Sequence, residues 1–181
     1  MRKIQILLVV VLAFLALNVN AQINIGATIG AQLPMGSFGD GYKTGFGFNA
    51  VGKYMLKENM AVGLNLGYSA FGSDVDGVSS SMMPITGLFE YHFGSGALKP
   101  YVGADLGMYR FGYKMEMEIM GEKISESGSE MYLGFAPTGG ILYGMSDKLS
   151  LCANLKYNYV MSEGDAATFL GINVGIVYKI K

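Results

Sequence analysis

The chain has 181 residues with 13 basic and 14 acidic side chains, and only 15% of it is charged against about a quarter in typical soluble domains. Its single cysteine, Cys152, excludes an internal disulfide and lies too far along the chain to be a lipid-attachment point behind a leader. All 27 glycines fall beyond residue 21, where no stretch is long and apolar enough for a membrane helix.

Arg2 and Lys3 precede an apolar run from Ile6 to Leu17, too short to span a bilayer, and Val19-Asn20-Ala21 offers small residues for cleavage. This predicts a signal peptide over 1–21, rather than an anchor, and one mature domain of 160 residues over 22–181. A hydrophobic exported chain without a spanning helix has one route through lipid, because every backbone polar group needs a partner there: a closed barrel.

Period-two alternation predicts eight strands, at 23–33, 45–56, 60–71, 82–93, 100–113, 130–143, 149–161 and 168–180. The first sets Ile23, Ile25 and Ile29 against Asn24, Gly26, Thr28 and Gly30. The third sets Leu64 and Leu66 against Asn65 and Gly67, and the last sets Ile172, Val174 and Ile176 against Gly171, Asn173 and Gly175. In the fifth, Val102, Ala104, Leu106 and Met108 share a face that also takes in Arg110 and Lys114. Either a bulge shifts the register there or the strand has left the hydrocarbon by Arg110.

Connections after strands two, four and six are short, and those over 34–44, 72–81, 114–129 and 162–167 are mostly longer. Short periplasmic turns and long extracellular loops are the habit of outer-membrane barrels, and they put both termini in the periplasm. Around the long connections stand ten acidic and three basic residues, while the rest of the mature chain has eight basic and four acidic ones. The bland reading is a solvated surface; the sharper one is a binding surface.

A soluble lipid carrier also alternates, with its apolar face inward. Here the polar face is mostly Gly, Asn, Ser and Thr, poor material for a wetted exterior and suited to a narrow interior. Phe46, Tyr54, Tyr68, Phe93, Tyr143, Tyr157 and Tyr178 lie near strand ends, where two aromatic belts would stand.

The segments Lys99-Pro100-Tyr101-Val102-Gly103-Ala104-Asp105-Leu106-Gly107 and Leu142-Tyr143-Gly144-Met145-Ser146-Asp147-Lys148, with the final strand from Gly171 to Ile180, resemble the eight-stranded outer-membrane barrel family of OmpX and the OmpA transmembrane domain, often called porin-family proteins. The resemblance covers the mature chain. It implies an antiparallel up-and-down transmembrane β-barrel in the outer membrane of a Gram-negative cell, with lipopolysaccharide and the barrel insertion machinery as partners. Members often end in an aromatic residue. This chain ends Tyr178-Lys179-Ile180-Lys181, so recognition for insertion would rest on Tyr178 and Ile180.

Eight strands enclose a space that side chains nearly fill. Lys53, Glu90, His92, Asp105, Lys156 and Lys179 are the ionisable residues expected inside, where charges must pair. Lys53 and Lys156 are candidate partners for Glu90 and Asp105, with the pairing open. A packed, salt-bridged plug is expected; rearranged pairs opening a small gated pore for solutes or ions is the alternative. His92, the sole histidine, has Ser95 nearby but no evident acidic third member, so a structural role is favoured over catalysis and no cofactor is expected.

Between Lys114 and Glu130 charge alternates with methionine, which suggests that strands five and six continue as a projecting hairpin. Glu116, Glu118, Glu122, Glu126 and Glu130 are the interaction candidates there. They would engage a surface protein, or bind calcium weakly and through it bridge lipopolysaccharide phosphates. Methionines interleaved with glutamates do not make a soft-metal site, and no nucleic-acid partner is expected. The role read from the sequence is non-enzymatic: envelope integrity or surface interaction.

Overall fold

The structure is a computed structural model that describes residues 22–73, 75, 77–119, 122–162 and 164–180, with backbone alone between 116 and 124. The predicted signal peptide therefore lies outside the described residues. Eight strands, β1 Ile23–Met35, β2 Gly45–Lys57, β3 Met60–Gly72, β4 Val78–His92, β5 Leu98–Ile119, β6 Glu122–Gly144, β7 Leu149–Val160 and β8 Ala167–Lys179, pair in sequence order. β1 then meets β8 from Asn24↔Lys179 to Met35↔Thr168, which closes the sheet.

The faces are inverted relative to a soluble protein. Leu64, Leu106, Val174 and Ile29 are more than half exposed on the outer wall, whereas Gln32, Asn65, Thr86 and Asn173 are buried inside. An outer wall of branched aliphatic side chains is stable only against hydrocarbon, and this rules out the carrier arrangement. Of the expected belt residues, Phe46, Tyr68 and Tyr157 face outward near the long-loop end; Phe93, Tyr143 and Tyr178 do so near the short-turn end, where Tyr54 is half-buried.

β5 and β6 run past the predicted strand bounds and stay paired up to Ile119↔Glu122, as the projecting hairpin that the alternation of charge with methionine suggested. β5 pairs in unbroken register, so of the two alternatives at Arg110 the bulge falls away; a register shift occurs in β2, between Met55 and Lys57. Arg110 and Lys114 therefore do share the outward face. Finally, the first long connection holds a short helix, α1 Gly36–Gly41. Gly36 at φ 57° turns the chain out of β1 into it, a conformation costly for any residue with a Cβ.

Glycine also makes room for large rings inside. A Cβ on Gly140 would stand 2.6 Å from the Tyr101 ring, and one on Gly134 would stand 2.7 Å from Tyr109. Such pairing of bulk with absence fills a narrow barrel without strain. Gly140→Val is expected to lower stability to guanidinium in lipid vesicles by about 1–3 kcal/mol, the usual scale of overpacking. Gly139→Val, whose Cβ meets nothing, is the control and is expected to change little.

Candidate functional site: the closed lumen

Five of the six ionisable residues expected inside converge in the lumen as two separate groups. Toward the short-turn end, Lys53 Nζ lies 2.7 and 2.8 Å from the two carboxylate oxygens of Glu90. His92 Nε2 sits 3.2 Å from Glu90 Oε2, and its ring stacks on Tyr101 with centroids 5.5 Å apart. Lys53 Nζ also lies 5.4 Å above the Tyr101 ring, within cation–π range. At mid-height, Lys156 Nζ donates to Asp105 Oδ2 at 2.8 Å. Thr86 donates to the same oxygen at 3.1 Å while accepting from Asn65 Nδ2 at 3.3 Å, an unbroken donor-to-acceptor chain.

Both ion pairs are built the same way. Lys53 on β2 reaches Glu90 on β4 across β3, and Lys156 on β7 reaches Asp105 on β5 across β6. The intervening strand places a fully buried alanine beside each carboxylate: Ala61 pairs with Glu90 and Ala136 with Asp105. A larger side chain there would stand between the charges.

Lys179 does not join either group. It lines a basin of about 530 Å³ at the short-turn end, with His92, Lys99, Asp147 and Lys148 also on its wall. Between the two ion pairs the void shrinks to about 20 Å³. That is room for about one water, too little for any solute.

The long-loop end carries a seal of a different kind. Phe38, the one large apolar residue of α1, drops into the barrel mouth and is 7% exposed. Its ring meets Phe71 edge-on at 5.1 Å and lies 4.8 Å from Tyr42; Phe71 meets Phe169 at 5.3 Å. Met82, Tyr109 and Val160 complete the cluster, and Tyr109 below it donates to Asn158 Oδ1 at 3.1 Å. Above Phe38 remains a cavity of about 220 Å³ beside Phe111, Tyr132 and Asp165.

Strand parity pointed to Asn65, Thr86 and Asn158 as inward residues but assigned them no role. Phe38 carried one signal, an aromatic set among the glycines of the first long connection. The sequence reading also missed an acidic neighbour for His92, which Glu90 supplies, although that carboxylate is already paired with Lys53. No group of three or more metal-ligating side chains occurs among the described residues. Of the hairpin glutamates, Glu126 and Glu130 are exposed, Glu130 accepting from the Tyr132 hydroxyl; the side chains of Glu116, Glu118 and Glu122 lie outside the described ones.

A closed sheet with lipid-facing aliphatics and a charged, packed interior is an outer-membrane design, and a family model for the outer membrane protein beta-barrel domain matches residues 6–179. The chain belongs to that family. Among solved structures it is similar to Neisserial surface protein A, at 17% identity over 89% of this chain and 99% of that one, with a TM-score of 0.64. A major outer membrane protein of Thermus thermophilus matches at 15% identity over 89% and 100%, also at 0.64. Ail, the attachment invasion locus protein of Yersinia pestis, matches at 17% over 88% and 97%, at 0.55. At these identities the likeness is one of fold. No curated protein matches the chain.

Removing one partner of a buried pair strands the other charge. Glu90→Ala is expected to cost about 3–5 kcal/mol in guanidinium unfolding of the vesicle-inserted barrel. The double variant Lys53→Met with Glu90→Leu is expected to recover most of that loss. Equal losses in both would show that the pairing itself is unimportant.

Proposed function

We propose that this outer-membrane barrel is a non-conducting, non-enzymatic scaffold that acts at the cell surface through its long-loop end. The observation that carries the reading is double closure: two buried ion pairs at and below mid-height, and the Phe38 seal above them. A pore would have to break both at once.

In this reading the short turns and both termini face the periplasm, and the signal peptide over 1–21 has been removed by the time the barrel inserts. The surface element is the β5–β6 hairpin. Beyond Gly134↔Val160, β6 pairs with β5 while no ladder to β7 continues, which leaves a strand edge of the kind that takes up a partner strand. Glu126 and Glu130 give that edge an acidic character, and the partner is a surface protein or the lipopolysaccharide layer. A similarly folded protein bearing the name attachment invasion locus protein supports a surface role, and a second structure of it holds a heparin analogue. Gated passive transport is the second reading, favoured by the polar basin on the short-turn side of the narrowing.

Planar-bilayer recording decides between them. The unmodified barrel is expected to give no steady current, and Phe38→Ala alone is expected to stay closed because the ion pairs remain. Reproducible openings in the unmodified protein would establish transport. Orientation has its own test: on intact cells, Asp165→Cys is expected to react with a membrane-impermeant maleimide, and Ser146→Cys only after the outer membrane is opened. The reverse pattern would invert the barrel.

A further inference from the structure

The outer wall holds a feature that neither the lumen nor the hairpin edge explains. Climbing the wall toward the long loops, the outward side chains of β4, β5 and β6 are first Ile85, Met108 and Leu133, which face lipid. One step higher stands Arg110, flanked by Met83 and Met131. Above it come Ser81, Gly112 and Ser129, then Ser79, Lys114 and Ser127. Polarity thus switches within two residues from aliphatic to hydroxyl and cation, on the face that looks sideways out of the barrel.

The small residues recess this patch into a groove of about 610 Å³, bounded on the β3 side by Tyr68. Arg110 and Lys114 are four residues apart on one strand face, so their Cα atoms lie about 13 Å apart along the wall. Arg110 Nη2 donates to Ser129 Oγ at 3.0 Å, which orients the guanidinium along the groove and uses one of its five donors. Glu126 and Glu130 have the other parity on β6 and so belong to its opposite face. A guanidinium fork and an ammonium, set in a hydroxyl-lined recess directly above a lipid-facing belt, match a phosphate ester that is itself anchored in the membrane.

We infer that this lateral groove of β4–β6 binds the phosphorylated head group of an anionic glycolipid in the leaflet next to the long loops, with Arg110 and Lys114 as the phosphate-binding residues. The site takes lipid phosphate directly and needs no bridging cation. It rests on the proposed orientation only for which leaflet supplies the lipid; binding in detergent does not depend on orientation, and the maleimide experiment tests that separately.

The test is native mass spectrometry of the full mature barrel in detergent, titrated with lipid A carrying two phosphates and with the same lipid after their removal. The unmodified protein is expected to retain the phosphorylated lipid at least tenfold more tightly. Arg110→Gln with Lys114→Gln is expected to abolish that preference while heat-modifiable gel migration still reports a folded barrel. Lys99→Gln with Lys148→Gln removes the same charge at the other end and is expected to leave the preference intact. Indifference to the phosphates in the unmodified protein overturns the site without reference to any variant. Undiminished preference in the Arg110/Lys114 variant, or equal loss in the Lys99/Lys148 variant, overturns it as well.

Discussion

In hydrocarbon an unpaired backbone amide or carbonyl costs several kcal/mol, and a sheet with two free edges would carry a row of them. Pairing β1 with β8 over Asn24↔Lys179 to Met35↔Thr168 removes both edges within the membrane. Closure with eight strands then fixes how little space lies inside. Most of what distinguishes this chain is a response to that scarcity: glycines beneath Tyr101 and Tyr109, alanines beneath the ion pairs, and polar side chains short enough to bond across the axis.

The interior divides by chemistry along its length. Charges occupy the lower and middle levels, where each carboxylate is met by a lysine from two strands away and by a further polar donor, His92 or Thr86. Aromatic rings occupy the top. Lumen charge is tolerable in the first region because every ion has a close partner, and water is squeezed out of the second by packing. The two closures meet through Tyr109 of the aromatic cluster, which donates to Asn158, itself a donor to the Lys156 carbonyl. The outer wall shows a division of its own, aliphatic through the belt and hydroxyl-and-cation above it, which continues the same sheet into a different solvent.

Alternation of side chains was enough to read eight strands, their inward faces and the identity of the lumen charges, because the two-residue period survives whatever the strands pack against. It was not enough for the pairing. Lys53 and Glu90 sit on strands that are not neighbours, so whether they meet depends on the stagger of the whole barrel, which no single strand encodes. The bounds of β5 and β6 stopped short at 113 and 130 because hydropathy marks only the lipid-facing part; beyond it the alternation continues in charges and methionines, and that is what suggested the projecting hairpin. Phe38 was invisible to parity altogether, since a loop side chain has no face assigned by its neighbours. Lys179, expected among the paired interior charges, stands at the short-turn basin, apart from both ion pairs.

Cys152 lies on the inner face of β7, 4% exposed, with its sulfur 3.4 Å from the Tyr101 hydroxyl. Before β7 is laid between β6 and β8 that thiol stands on an open ribbon; afterwards it is walled in. The chain thus contains a natural timer of its own assembly. The rate at which an alkylating reagent loses access to the sulfur therefore reports the closing of the wall around β7.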